Sequence, residues 1–296
     1  MKNKQMNPVA TAMIPITLLL CAFVFVHGYG LLSGDEIRLL GYQNVVSKEP
    51  KETISPNIIA AFRLVGAVFT ISGVLFLASL AKKEPWSRST AALLKWALFS
   101  AILAGTIYGG LMRVVANQQG AALLFFFTML LFLILGIIEK QPAQADASFN
   151  AIKLLPLYAI LLYTMGMPGW AKIFGGRQVI DRYTGMFKDS FIAALPGGTP
   201  LMIYLLGILE LAVPLLLIIS LLKGEFLQNR PKTWLNYALV LSIFTFAMLC
   251  FGLAVLFNFA GSANLVFYPI FTLLMLVYLN RPYKQPAVDN HLNCFI

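Results

Sequence analysis

Polar residues interrupt this chain at long, regular intervals. Between them lie eight apolar stretches of about 18–24 residues, at 9–31, 58–81, 92–114, 120–138, 152–171, 200–222, 234–257 and 264–280. Each is long enough to carry a helix across the hydrocarbon core of a bilayer. Membrane strands would read as alternating segments of about ten residues, and the sequence contains none. Backbone polar groups in lipid must be satisfied within a helix or a closed barrel. The pattern therefore predicts an all-α membrane protein with eight transmembrane helices.

The pattern also recurs at a fixed distance. Moved by 141 positions, residues 28–102 fall on 169–243 without a gap. Ser79, Leu80, Lys82 and Glu84 land on Ser220, Leu221, Lys223 and Glu225, and Gly28 and Gly66 land on Gly169 and Gly207. About fourteen of these 75 positions are identical. That identity is low, but the hydropathy repeats at the same offset, and together they predict a duplicated unit. Four helices return the chain to its starting side. The expected architecture is thus two tandem parallel four-helix bundles related by an axis along the membrane normal. The expected units are 1–140 and 152–280, with a polar linker at 141–151 and a tail at 281–296.

Composition fits this picture. Only 11% of residues are charged and 59% are hydrophobic, whereas soluble domains carry about 25% charged residues. The net charge of +10 raises nucleic acid as a partner, but its distribution argues against one. Thirteen of the 22 lysines and arginines lie on the side of the two termini, and the rest are spread over longer loops. The positive-inside rule then places both termini in the cytoplasm, and the charge excess is an orientation signal. The partner it implies is the lipid bilayer. The first apolar segment is too long for a cleavable signal peptide and lacks a small-residue site after it. Cys21, Cys250 and Cys294 form no motif, so a dithiol or zinc centre is not expected. His27 and His291 fall on opposite sides of the membrane, which excludes a bis-histidine haem.

The first connection in each half is long. Within residues 172–199, Val179, Ile180, Tyr183, Phe187 and Phe191 recur at helical spacing with charged residues between them. This predicts an amphipathic helix lying in the interface, either covering helix ends or closing a binding cavity. Residues 33–57 are its counterpart, with Ile37, Leu40, Tyr42 and Val45. Gly105 and Gly109 in the third segment fit a close-packing face.

Chemistry concentrates in few residues. Glu210 lies near the middle of the sixth segment, where a carboxylate costs about 2.5–3.5 kcal/mol on insertion scales, so it is expected to face the bundle interior. Pro214 removes the hydrogen bond to its carbonyl and favours a kink there. Glu210 fits a proton relay or ligand contact, or a packing role bonded to Tyr163, Tyr237 or Asn236. Lys172, at the outer end of the fifth segment, snorkels to water unless its helix runs deep enough to reach Glu210. Arg63 either snorkels or meets an anionic group within the first bundle. Tyr204, Asn236 and Tyr237 are candidates to line a shared polar cavity.

Gly169-Trp170-Ala171-Lys172, followed by Gly207-Ile208-Leu209-Glu210, resembles the DoxX-like superfamily of four-helix bacterial membrane proteins. Its members carry G-x-x-K ending one helix and a glutamate in an apolar A-G-x-x-E setting on the next. In the first half, Phe62-Arg63-Leu64-Val65-Gly66 with Gly73 is similar to the family's R-x-x-G pattern. That half carries Leu31 and Phe69 where the second has Lys172 and Glu210. The resemblance implies a bacterial cytoplasmic (inner) membrane location. It also implies an accessory role in a membrane redox process that binds a quinone or similar lipophile, because some relatives are subunits of quinone-linked sulfur oxidation. With no recognisable electron-carrying motif, the chain is not expected to be an enzyme on its own and would need a redox partner protein. Two other readings stay open. One is a small-solute or lipid transporter; the other is a non-enzymatic assembly or trafficking factor binding a client protein.

Overall fold

The structure is a computed structural model. It describes residues 8–34, 55–85, 91–115, 117–139, 147–227 and 230–280. Eight helices are long and apolar enough to cross a membrane. The protein is an all-α, multi-pass membrane protein, and among the described residues there is no strand.

The elements are α1 (Pro8–Leu32), α2 (Pro56–Ala81), α3 (Ala92–Val114), α4 (Gln118–Ile138), α5 (Phe149–Phe174), α6 (Gly176–Phe187), α7 (Gly198–Leu222), α8 (Thr233–Val255) and α9 (Phe259–Leu279). All but α6 are spans. Packing is sequential within each half: α1 on α2, α2 on α3 and α3 on α4, then α5 on α7, α7 on α8 and α8 on α9. The halves meet where α3 packs on α5 and α4 on α9. Aromatic rings fill that seam, with Tyr268 between Phe125, Phe126 and Phe246 at centroid distances of 4.5, 4.9 and 4.8 Å. Ring pairs at such spacings add to the area they bury.

The offset that relates the two sequences also relates their contacts. At the end of the bundle where the chain starts, Glu84 accepts from the Leu94 amide at 2.8 Å, and Glu225 accepts from Leu235 at 2.9 Å. Each carboxylate caps the next helix, satisfying amides that have no partner within it. The amides of Glu84 and Glu225 in turn donate to the carbonyls of Ser79 and Ser220, both at 3.0 Å. At the far end, Asn117 caps α4 by accepting from Gly120, and Asn258 caps α9 by accepting from Gly261. The correspondence thus runs past residue 102, into the fourth helix of each half.

Of the predicted boundaries that move, two bear on the fold. The eighth segment begins at Phe259 rather than 264, because Gly261, Ser262 and Asn264 lower its hydropathy while Asn258 supplies the cap. The fifth reaches Phe174 rather than 171. The shift matters because it places Lys172 inside the span. The amphipathic helix expected in 172–199 is α6, with Ile180 and Phe187 buried and Arg177, Asp181 and Arg182 exposed. Its first-half counterpart, with Ile37, Leu40, Tyr42 and Val45, lies outside the described residues, as do the tail and most of the linker.

Candidate functional site

Glu210 is the central residue of the 25-residue α7, and it is 1% exposed. Lys172, 4% exposed, comes from the last turn of α5. Its ammonium donates to both carboxylate oxygens, at 2.8 Å to Oε1 and 2.7 Å to Oε2. Among the described residues no other ion pair is as deeply buried.

Glycines make the meeting possible. A Cβ on Gly169 would lie 2.8 Å from the Cβ of Glu210, and one on Gly207 would lie 3.0 Å from the Cβ of Lys172. The backbones of α5 and α7 therefore approach where only hydrogen occupies the side-chain position, the close packing that small residues allow between membrane helices. The first half crosses in the same way. A Cβ on Gly66 would meet the Gly28 carbonyl and the Leu31 Cβ, both at 2.9 Å. There the positions of the ion pair hold Leu31 and Phe69, 4% and 0% exposed.

The backbone around the pair is irregular. Residues Leu162–Gly166 of α5 form a π-helical turn, and Pro168 follows at once. Proline cannot donate to the carbonyl four residues back, and its ring crowds that carbonyl. A wider turn accommodates the conflict, and such turns are frequent at functional sites. Pro214, inside α7, leaves the Glu210 carbonyl without its usual donor. It packs opposite Gly166, where an added Cβ would sit 3.3 Å from the proline ring.

Above the pair lies α6. The Tyr183 ring is 5.8 Å from the Lys172 ammonium, within reach of a cation–π attraction. The amphipathic helix thus covers the cation from the far end of the bundle. The buried acid lies beneath the 172–199 segment, the arrangement expected if that segment closes over a site.

Other candidates fall elsewhere. Tyr204 and Tyr237 are 41% and 58% exposed and face outward, so they line no shared cavity. Asn236, in the first turn of α8, exchanges two hydrogen bonds with Asn280 at 3.0 and 3.1 Å. Neither Tyr237 nor Asn236 bonds to Glu210, because each sits at a helix end while Glu210 is mid-helix. Tyr163 also makes no bond to it, pointing instead onto Gly109 of α3. Arg63 is exposed, and its guanidinium lies over Gly34, where a Cβ would come within 2.9 Å of Nε. Among the described residues it meets no anionic group.

Sequence reasoning missed Arg113. It ends α3, four residues after Gly109, and is within electrostatic range of Glu210, Tyr163 and Tyr268. The i, i+4 spacing of Gly109 and Arg113 was the available signal, since it puts both on one helical face. No protein-family model matches the chain, and neither the curated proteins nor the solved structures contain a significant match to it.

Proposed function

We propose that this protein is a DoxX-like membrane accessory of a redox process, presenting the Lys172–Glu210 pair to a quinone or a similar lipophile that exchanges protons. One observation carries the reading. The same helix crossing is built twice, once with Leu31 and Phe69 and once with Lys172 and Glu210. A buried ion pair pays a desolvation penalty that an apolar pair does not, and replacing one by packed hydrophobic residues is often neutral or stabilising. The fold therefore stands without the charges, which favours a chemical role for them. An ionisable pair within the membrane is by default a functional candidate.

In this role Glu210 is the proton-exchanging group and Lys172 holds its charge when ionised. Tyr183 and α6 separate the pair from water at the far end. Under the proposed orientation, with the termini in the cytoplasm of a bacterium, that far end faces the outer side. In this reading the electrons come from a redox partner protein.

The test is direct. The full-length protein is purified in neutral detergent, its bound lipophiles are extracted and identified, and it is titrated with a short-chain benzoquinone. A near-stoichiometric quinone, lost in Glu210→Gln at unchanged expression, is the expected result. Protein that neither carries nor binds quinone contradicts the reading. A different bound lipid or solute would favour a carrier, and a co-purifying client would favour an assembly factor.

A further inference from the structure

A second polar cluster lies in the seam between the halves, apart from the ion pair. Arg113 donates from Nη1 to Oε1 of Gln118, but its buried Nε has no hydrogen-bond partner among the described residues. The Tyr163 hydroxyl, resting on Gly109 where no Cβ would fit, is buried and also unpartnered. The Thr164 hydroxyl lies near it, and beyond the weak contact between the two, neither has a hydrogen-bond partner among the described residues. Both residues belong to the π-helical turn of α5.

Buried polar groups are almost always satisfied, so a guanidinium Nε–H and two neighbouring hydroxyls with no well-formed bond call for a partner. Their chemistry restricts it. A guanidinium Nε–H can only donate, and the two hydroxyls are free to donate as well. The charges agree. Arg113 and Lys172 carry two positive charges, and the carboxylate within range, Glu210, has both oxygens on Lys172. One positive charge is left over in a partly buried place, where an unpaired charge is costly. The surroundings are those of a lipid-lined site. Tyr268 and Phe126 form an aromatic wall beside the cluster, and Phe126 packs 5.7 Å from Phe267, which is 48% exposed on the outer face.

We propose that the seam binds an anionic amphiphile, a carboxylate or phosphate head group on an acyl chain. Arg113 Nε and the hydroxyls of Tyr163 and Thr164 hold the head group, and the chain leaves along the Phe126–Phe267 wall. The site draws on both halves and is independent of the reading of the Lys172–Glu210 pair.

Delipidated full-length protein in neutral detergent tests this by thermal unfolding, with phosphatidylglycerol, oleate, phosphatidylcholine and inorganic phosphate as separate probes. A ligand that binds the folded state raises the midpoint as its concentration passes the Kd. Phosphatidylglycerol or oleate is expected to raise it by several degrees, and phosphatidylcholine is not. Arg113→Gln should weaken the response about tenfold, the loss of one charge-assisted contact of about 1.4 kcal/mol. Tyr163→Phe, which keeps the ring, should weaken it by a smaller factor and covers the case in which Arg113→Gln fails to fold. The double variant Lys172→Leu/Glu210→Phe should respond like the parent, which separates this proposal from the quinone reading. An equal response in Arg113→Gln and Tyr163→Phe, or none to either anionic amphiphile, overturns the proposal. A response to inorganic phosphate matching that to the lipids overturns the acyl-chain part and makes the ligand a free anion.

Discussion

Lys172 reaches Glu210 because Gly169 and Gly207 let two helices touch, and that dependence can be measured residue by residue. Gly169→Ala places a methyl 2.8 Å from the Glu210 Cβ, so α5 must shift and the ion pair must lengthen. Overpacking of this kind costs about 1–3 kcal/mol. Gly28→Ala makes the same intrusion in the first half, on Thr70 and the Gly66 carbonyl. It should cost a similar amount in thermal unfolding yet leave quinone binding intact, while Gly169→Ala loses both. Lys172→Met strands a buried carboxylate and should destabilise by about 3–5 kcal/mol in the same assay. Glu210 and Lys172 were each legible in the sequence, one by its cost in mid-helix and the other by its motif. Their union was not, because hydropathy ends the fifth segment at its charge and cannot show that the charge is neutralised by a neighbour. Arg113 was hidden for a related reason: at a helix end it counts as one more interfacial cation until tertiary packing shows what faces it.

At the scale of elements, local signals were the most readable. The amphipathic character of α6 follows from apolar spacing alone: its buried Ile180 and Phe187 are among the residues that spacing singled out, although the helix ends before Phe191, which is exposed. The paired caps were present as Glu84 and Glu225 in the repeat, but their purpose needs the fold, since each reaches about ten residues ahead to the next helix. Glu225 is the more embedded. It also accepts from Ser220 Oγ at 2.9 Å, and that hydroxyl, its own proton so used, accepts a hydrogen bond from Tyr158 at 2.8 Å. Removing a cap costs about 0.5–2 kcal/mol. Glu84→Ala should fall in that range, and Glu225→Ala above it, because it also leaves the buried Ser220 hydroxyl without its acceptor. Thermal melts of the two variants rank them. The π-helical turn was not legible. Pro168 marks the conflict, but whether a helix answers it by bending, breaking or widening depends on what packs alongside.

For the whole molecule, periodicity carried the reading of eight spans, and the shared offset of 141 carried the reading of two like units. How those units meet was beyond it, since the seam of α3, α4, α5 and α9 is chosen by side-chain shape, as in Tyr163 against Gly109 and Tyr268 among its phenylalanines. Orientation is the remaining proposal at this scale. Gly185 is exposed with open space at its Cβ position, and Arg230 is exposed at the opposite end. With the native cysteines replaced, a cysteine introduced at 185 should react with an impermeant maleimide on intact cells, and one at 230 only after permeabilisation. The reverse result would invert the positive-inside assignment.

The central claim is that the charges of the second crossing serve chemistry, because the first crossing folds without them. Lys172→Leu/Glu210→Phe gives the second half the residues of the first, and the measurement is its thermal stability together with its bound quinone. The double variant should fold, be as stable as the parent or more so, and carry no quinone. A double variant that fails to fold, or one that folds and retains quinone at the parent's level, would contradict the claim.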